Sequence, residues 1–196
     1  MSIVIIKYNA GNNFSVKCAL HRLGVDALVT DDVKLIREAS KVIFPGVGEA
    51  RAAMEYLNKT GLAAVIKGLT QPVLGICIGQ QLLCRHSEEG DVDCLGIFDE
   101  DVVKFKCVNN EAKIPHMGWN TIDVVAPSII TPELNGRYAY FVHSYYVPVG
   151  ACTTAVTNYI TPFSASMCKD NFYATQFHPE KSGSVGEAVI KNFLEL

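Results

Sequence analysis

A single cysteine stands between two glycines in the stretch PVLGICIGQQLL, Pro72 to Leu83, where an apolar run gives way to a predicted helix. A side chain at the tip of a tight strand-to-helix turn projects clear of the sheet, and its neighbours must be small because the backbone passes close on both sides. Gly75 and Gly79 are such neighbours. At a helix N-terminus the thiolate is favoured, so Cys77 is predicted to be a nucleophile. The alternative is a buried structural cysteine with chance glycines.

A thiolate nucleophile needs an acid–base partner, and the sequence offers five histidines: His21, His86, His116, His143 and His178. His178 follows the extended segment FYATQF and precedes Pro179, so its imidazole is predicted to emerge where a strand ends. Glu180 lies two positions on, where a carboxylate could hold the ring in one tautomer. Cys77, His178 and Glu180 are therefore predicted to form a catalytic triad. His143 has no carboxylate nearby in the sequence and is predicted to be structural.

A cysteine nucleophile also needs donors for the oxyanion that forms when it attacks a carbonyl. The segment PGVG, Pro45 to Gly48, follows the predicted strand KVIF. Glycines on both sides of Val47 would let a peptide N–H face the developing oxyanion and let that peptide flip at low cost. An ordinary Pro-Gly turn is the alternative. Val47 and Gly48 are thus the candidates for an oxyanion hole.

The strings GICIGQQLL, PGVG and QFHPEKS resemble the class I, triad-type glutamine amidotransferases. The resemblance implies an α/β fold in which Cys77 attacks the side-chain amide of glutamine, His178 moves the protons and Glu180 orients His178. Ammonia leaves, and water hydrolyses the glutamyl thioester. The resemblance also implies oxyanion donors at Ile78 and in the Val47–Gly48 segment, but no cofactor and no metal. It assigns the binding of glutamine to Gly48, Gln81, Glu89, Ser144 and Tyr145.

The ammonia acceptor must be bound by another chain, because 196 residues leave no room for a synthase domain. The strings PHMGWN, Pro115 to Asn120, and YNAGN, from Tyr8, resemble the members of this family that serve histidine biosynthesis. That resemblance implies a heterodimer with a β/α-barrel cyclase subunit, which receives the ammonia and activates the glutaminase. It assigns the partner contact or the passage of ammonia to Asn12, Trp119, Tyr140 and Lys181.

Three residues depart from the family pattern: Lys7, Asn9 and Gln80. Asn9 stands where the family has a glycine, and it is expected to preserve the loop because asparagine tolerates a positive φ. Lys7 affects only a local contact, and Gln81 still falls at the matching position. Three other functions stay open: a glutaminase subunit for another acceptor, such as the pyridoxal phosphate or anthranilate systems; a cysteine-elbow stress protein or peptidase; and a catalytically silent binding subunit.

The apolar patterns predict the elements that must position these residues. Strands at IVIIKY, DALVT and KVIF alternate with helices, and the run Pro72 to Ile76 is a further buried strand. From Gly96 the pattern changes to short alternating strands at GIFDEDVVKF, TIDVV, YAYFVH and NFYATQF, followed by a helix from Val185 to Leu194. We therefore predict one domain, residues 1–196, with a three-layer, doubly wound, mostly parallel sheet flanked by helices and added antiparallel strands in the C-terminal half.

Composition excludes several classes of function. Hydrophobic residues make up 49% of the chain, and the formal net charge is −3 without a basic stripe, so neither nucleic acid nor a membrane surface is a favoured partner. The N-terminus lacks a basic leader and a spanning apolar run, and a cytoplasmic protein is expected. The seven cysteines show neither a disulfide framework nor a zinc-ligand spacing.

Overall fold

The structure is a computed structural model that describes residues 2–107 and 112–196. Its first half alternates strands and helices: β1 (Ile3–Ile6), α1 (Asn13–Arg22), β2 (Ala27–Thr30), α2 (Val33–Glu38), β3 (Lys41–Gly46), α3 (Ala50–Thr60), α4 (Leu62–Lys67), β4 (Val73–Cys77) and α5 (Ile78–Leu83). Strands β1, β3 and β4 are buried along their whole length, as expected for parallel strands covered on both faces.

The second half is mostly strand: β5 (His86–Ser87), β6 (Val92–Asp93), β7 (Asp101–Lys104), β8 (His116–Val124), β9 (Arg137–His143), β10 (Tyr145–Tyr146), β11 (Thr153–Asn158), β12 (Pro162–Lys169) and β13 (Phe172–Thr175). Single 3-10 turns lie at Pro132–Leu134 and Pro179–Lys181, and the chain closes with helix α6 (Gly183–Leu194). None of the helices in the described part of the chain has the length and apolar character needed to cross a bilayer.

Nine strands form one mixed sheet in the order β2-β1-β3-β4-β13-β12-β11-β8-β9. The first five run parallel, and the rest pair antiparallel. Thr175 in β13 pairs beside Ile76 in β4, so the chain leading to His178 leaves the sheet at the same edge as Cys77. The predicted mixed α/β sheet is thus confirmed, and its central pair brings the two predicted reactive residues to one edge.

Two apolar layers lie on opposite faces of this sheet. Helices α1 and α6 contribute Val16, Leu20, Val189 and Phe193 to one layer. Helices α2 to α5 contribute Ile36, Leu57, Ile66 and Leu82 to the other. The three-layer arrangement follows from the amphipathic spacing of these helices.

Some elements differ from the sequence predictions. A second sheet, in the order β10-β7-β5-β6, was not predicted, since three of its strands have two residues and show no period. The strand predicted at GIFDEDVVKF is reduced to β7, and β8 begins five residues before TIDVV. Helix α2 and strands β11 and β12 carried no signal that we recognised in the sequence.

Candidate active site

Cys77 lies at a sharp turn between β4 and α5, with φ 56° and ψ −109°. A Cβ atom on Gly79 would overlap the carbonyl oxygen of Phe44, and one on Gly75 would lie 2.8 Å from Leu83 Cδ1 and 2.9 Å from the Gly79 carbonyl oxygen. Both positions therefore require glycine, because β3 and α5 pass too close for any side chain. The glycines of the GICIG string are explained by this packing, and they leave the Cys77 side chain at the edge of the sheet.

His178 and Glu180 form a buried pair across from this turn. Nδ1 of His178 lies 2.8 Å from Oε1 of Glu180, and each side chain is 1% exposed. The backbone is fixed as well, since the His178 N–H donates to the Tyr140 carbonyl at 3.0 Å and the Ser182 hydroxyl donates to the His178 carbonyl at 2.7 Å. The Asn12 amide approaches Glu180 Oε1 at 3.5 Å.

Opposing influences act on the protonation of His178. Burial alone would lower its pKa, but the interactions with the Cys77 sulfur and the Glu180 carboxylate outweigh burial and raise the pKa to about 10. Among the described residues, Nε2 of His178 has no hydrogen-bond partner. The arrangement favours the protonated form of His178 and leaves its Nε2 for a substrate.

The PGVG segment continues from the end of β3 beside Cys77, where Gly46 pairs with Cys77 in the parallel ladder. A Cβ on Gly46 would overlap Ile78 Cγ2 and the Tyr8 hydroxyl, so this position requires glycine. Gly48 has φ +123°, a conformation that L side chains rarely adopt. The segment is thus held close to the nucleophile by residues that could not carry side chains.

A cavity of about 350 Å³ opens over Cys77. Every residue predicted to act on glutamine lines this cavity except Glu180, which reaches it only through His178. The predicted residues in the lining are Val47, Gly48, Cys77, Ile78, Gln81, Glu89, Ser144, Tyr145 and His178. Pro115, Val142 and His143 complete the lining. The volume suits a small polar molecule such as an amino acid.

Two side chains of the lining are already committed to protein partners. Gln81 Nε2 donates to the Tyr145 carbonyl and to Gln176 Oε1, both at 2.9 Å. Since both amide hydrogens are used, only Oε1 of Gln81 is left for a ligand. Glu89 Oε2 accepts from the Ala50 N–H at 2.9 Å, and burial raises the pKa of Glu89.

Sequence reasoning did not single out Gln176, although it begins the QFHPEKS string. Its side chain is fully buried, and Nε2 donates toward Cys77 Sγ at 3.8 Å. Pro115, in PHMGWN, was likewise not assigned to the cavity. Long-range strand pairing brings both residues to the site, which local spacing does not reveal.

The residues predicted to face a partner lie beside the site. Trp119 on β8 is opposite Tyr140 on β9, with ring centroids 6.0 Å apart, and Trp119 is 55% exposed. Met117 and Tyr138 are further large exposed side chains on these two strands. Lys181 is exposed, and Asn12 is partly buried. Trp119 thus lies at the surface, and its contact with a partner stays a prediction.

The departures from the family pattern have local explanations. We expected Asn9 to adopt a positive φ in place of the family's glycine, but its φ is not positive. Instead, its side-chain amide donates to the Ala52 carbonyl at 3.0 Å, and this bond ties the loop to α3. Gln80 is fully buried, and its amide donates to the Ser164 carbonyl at 3.0 Å. The Lys7 N–H donates to the Thr30 carbonyl at 2.9 Å, a bond that any residue except proline could make.

The chain matches the family model described as Glutamine amidotransferase class-I over residues 4–196. It is 60% identical to the Imidazole glycerol phosphate synthase subunit HisH of Bacteroides fragilis over 196 residues, which cover 100% of both chains. The subunit of the same name from Escherichia coli K12 is 47% identical over 198 residues, again with 100% of both chains covered.

Solved structures match the fold at lower identity. PurLQS from Thermotoga maritima is 18% identical, with a TM-score of 0.71 and coverage of 99% of this chain and 97% of that chain. A glutamine amidotransferase from the same organism is 17% identical, with a TM-score of 0.63 and coverage of 100% and 83%. These likenesses concern the fold alone.

Proposed function

The chain belongs to the class I glutamine amidotransferase family, and we propose that it is the glutaminase subunit of an imidazole glycerol phosphate synthase in histidine biosynthesis. It hydrolyses glutamine to glutamate and passes the ammonia to a cyclase subunit, which forms imidazole glycerol phosphate and aminoimidazole carboxamide ribotide. One observation carries the glutaminase assignment: the elbow thiol of Cys77 and the imidazole of His178, which is paired with Glu180, line one cavity. Identity of 47–60% along the whole chain to subunits of that name supports the choice of acceptor.

In the proposed reaction, the Cys77 thiolate attacks the side-chain carbonyl carbon of glutamine and the carbonyl oxygen becomes an oxyanion. His178 then gives a proton to the amide nitrogen, the C–N bond breaks, and ammonia leaves a glutamyl thioester. Water next attacks the thioester while His178 accepts its proton, and the C–S bond breaks to release glutamate. The raised pKa of His178 supports its role as the first proton donor.

The oxyanion is assigned to the N–H of Ile78 and to an N–H of the Val47–Gly48 segment. Ile78 is the first residue of α5, and no side chain caps that helix end, so its N–H belongs to the unpaired group at a helix N-terminus. Gly48 and Val47 line the cavity on the side of β3. Loss of one such donor typically costs about two to three orders of magnitude in rate.

Bound glutamine is a zwitterion, and the cavity has complementary groups for it. The half-buried Glu89 carboxylate is suited to the α-ammonium group, because among the described residues only the Ala50 N–H donates to it. Oε1 of Gln81 is a further acceptor among the lining residues. The Ser144–Tyr145 segment lines the cavity beside Gln81 and is assigned to the rest of the amino-acid backbone.

The cyclase subunit is proposed to be a β/α-barrel that docks on the exposed aromatic face of β8 and β9, around Trp119 and Tyr140. Aromatic residues and methionine are enriched at protein interfaces, and Met117, Trp119 and Tyr138 are exposed together on this face. The Tyr140 carbonyl accepts from the His178 N–H, so the face adjoins the catalytic pair. Asn12 and Lys181 flank the same region and are assigned to the partner contact or to the passage of ammonia.

The test uses the chain together with its cyclase and compares two nitrogen sources. Cys77→Ala is expected to abolish synthesis from glutamine and to leave synthesis from added ammonium salts intact, because only the nitrogen source is lost. Cys18→Ala is the matched control, since Cys18 lies on α1 away from the cavity lining. Persistent use of glutamine by the Cys77 variant would contradict the nucleophile assignment, and failure of the wild-type pair to use either source would contradict the choice of acceptor.

A further inference from the structure

Two buried histidines that the proposed reaction does not use are in direct contact. His116 on β8 and His143 at the end of β9 are partners in the strand register, and they are 3% and 6% exposed. Nδ1 of His116 lies 3.0 Å from Nε2 of His143. His143 also lines the cavity, so the pair lies between the β8–β9 face and the substrate site.

The hydrogen-bond partners fix which nitrogen of each ring carries the proton. His143 Nδ1 lies 2.8 Å from the Tyr145 carbonyl oxygen, which can only accept, so Nδ1 is protonated. A neutral ring has one proton, so Nε2 of His143 accepts, and Nδ1 of His116 must donate to it. Nε2 of His116 then accepts from the Asn120 amide at 3.3 Å, whose other hydrogen goes to the Asn158 carbonyl at 2.8 Å. Both rings are therefore Nδ1–H tautomers.

The surroundings keep both rings neutral. His116 stacks between Tyr159 and Phe141, with ring centroids 4.1 and 4.9 Å away. Phe163 packs edge-on against His143 at 5.0 Å. Burial lowers the pKa of His116 to about 4 and that of His143 to about 3, and the nearby His178 adds to the effect on His143. A second proton on either ring would also place two donors face to face.

The chain of hydrogen bonds continues from the histidines to the nucleophile. The Tyr145 carbonyl accepts from His143 and also from Gln81 Nε2, at 2.9 Å. The second hydrogen of Gln81 goes to Gln176 Oε1 at 2.9 Å, which leaves the Gln176 amide hydrogens pointing toward Cys77 Sγ at 3.8 Å. The Tyr145 carbonyl accepts from both His143 and Gln81, so it joins the histidine pair to the glutamine pair at one fixed point.

We propose that the hydrogen-bonded chain Asn120–His116–His143–Tyr145–Gln81–Gln176 is a positioning network that directs an amide donor at the Cys77 sulfur and fixes the substrate-binding segment. The kinetic consequences of this network rest on the proposed glutaminase function. The network begins on β8, whose outward face carries Trp119, so the strand assigned to the partner contact also holds the first members of the network. His116, His143 and Gln176 are positioning residues and do not touch the substrate's reacting atoms.

The first test concerns proton positions and does not depend on the reaction. Nitrogen-15 NMR of the full chain, with assignments from His116→Phe and His143→Asn, is expected to show both rings as Nδ1–H tautomers at neutral pH. A scalar coupling across the His116 Nδ1–H···Nε2 His143 hydrogen bond is also expected. An Nε2–H tautomer or a doubly protonated ring at either position would overturn the proposal.

The second test separates positioning from folding. In the complex with the cyclase, His116→Phe keeps a stacked aromatic ring but removes both nitrogens, and it is expected to raise KM for glutamine and lower glutamine-dependent kcat, by about tenfold to a hundredfold together. Synthesis from ammonium salts should stay within about twofold, because the cyclase reaction does not use the network. His116→Asn, whose amide can replace the Nδ1 donor, should recover part of the loss.

His21→Phe is the control, since His21 is an exposed histidine on α1. Unchanged glutamine kinetics in His116→Phe would overturn the network, as would an equal loss with both nitrogen sources. Failure of the proposed function gives a different pattern, because Cys77→Ala would then still use glutamine while the NMR tautomers stayed as expected. If His116→Phe does not fold, the tautomers of the wild-type chain and the kinetics of His116→Asn decide.

Discussion

Cys77 is held in place by backbone packing, whereas His178 and Tyr145, across the same cavity, are held by hydrogen bonds to side chains. On the parallel side of the sheet, Gly79 admits no Cβ, and the turn places Cys77 at a positive φ. Across the cavity, Glu180 holds His178 beyond the end of β13, and His143 on the antiparallel strand β9 holds the Tyr145 carbonyl. A substitution that breaks the backbone packing disturbs the whole turn, whereas each hydrogen bond can be removed without disturbing the others.

The comparison also explains which parts of the site the sequence predicted. The elbow depends on glycines within two residues of Cys77, and the His178–Glu180 pair spans three residues, so both leave a local pattern. Gln176, by contrast, acts on Cys77 from 99 residues away. The His116–His143 contact depends on the register of β8 and β9. Local spacing carries no information on such pairings.

The fold shows the same division. Each buried parallel strand coincides with an apolar run, and the ends of the run mark the ends of the strand. The strands β1, β3 and β4 were therefore predicted to within a few residues. In the small sheet of β10, β7, β5 and β6, every strand except β7 has two residues, and tertiary contacts hold these strands together. No periodicity can indicate strands of that length.

The largest expected effect comes from removing His178, the proposed acid–base group on the hydrogen-bonded side. His178→Asn should lower glutamine-dependent kcat by about 10²–10⁴-fold, because neither the leaving nitrogen nor the attacking water then has a proton partner. Synthesis from ammonium should persist. Glu180→Gln should cost less, since its amide oxygen can still accept from His178 Nδ1 although the charge is lost. Stopped assays with glutamine and with ammonium as the nitrogen source measure the loss of kcat in each variant.

The same pair of variants tests the protonation of His178. Glu180→Gln removes one of the influences that raise the pKa of His178, while burial, which lowers it, stays. The titration midpoint of His178, followed by NMR, should therefore fall from about 10 toward its ordinary value. A midpoint that did not move, together with equal kinetic losses in both variants, would contradict the role of Glu180.

The next effect is steric and lies on the parallel side. Gly79→Ala would force a Cβ into the Phe44 carbonyl of the central strand β3, and it should lower the free energy of unfolding by about 3 kcal/mol or more. Gly68→Ala is the matched control: its Cβ would make only an ordinary contact, 3.5 Å from the Ala64 carbonyl, and it should change stability by less than about 1 kcal/mol. Urea unfolding measures both, and similar losses would refute the packing argument.

A smaller effect is expected on the outer face of the antiparallel side. Trp119→Ala should weaken binding of the cyclase by about 2 kcal/mol, as for an interface tryptophan, while the free energy of unfolding of the isolated subunit changes by less than about 1 kcal/mol. Leu28→Ala, similarly exposed on β2 at the opposite edge of the sheet, should leave cyclase binding unchanged. Calorimetric titration with the cyclase distinguishes the two. Unfolding of the Trp119 variant without a separate loss of affinity would indicate a core role.

The smallest expected effect comes from removing the buried hydroxyl group of Tyr8, on the parallel side of the sheet. The Tyr8 ring packs on Phe44 at 5.2 Å, and its hydroxyl is buried against Gly46 without a hydrogen-bond partner among the described residues. An unpaired buried hydroxyl costs free energy, so Tyr8→Phe should leave stability unchanged or raise it by up to about 1 kcal/mol. Glutaminase activity should change by less than about twofold, since packing and not this hydroxyl holds the elbow. Thermal unfolding and the glutamine assay measure the two quantities. A loss of stability would mean that the hydroxyl is paired in solution. A loss of activity alone would mean that the hydroxyl finds a partner only during turnover. In that case the parallel side of the site would also depend on a side-chain hydrogen bond.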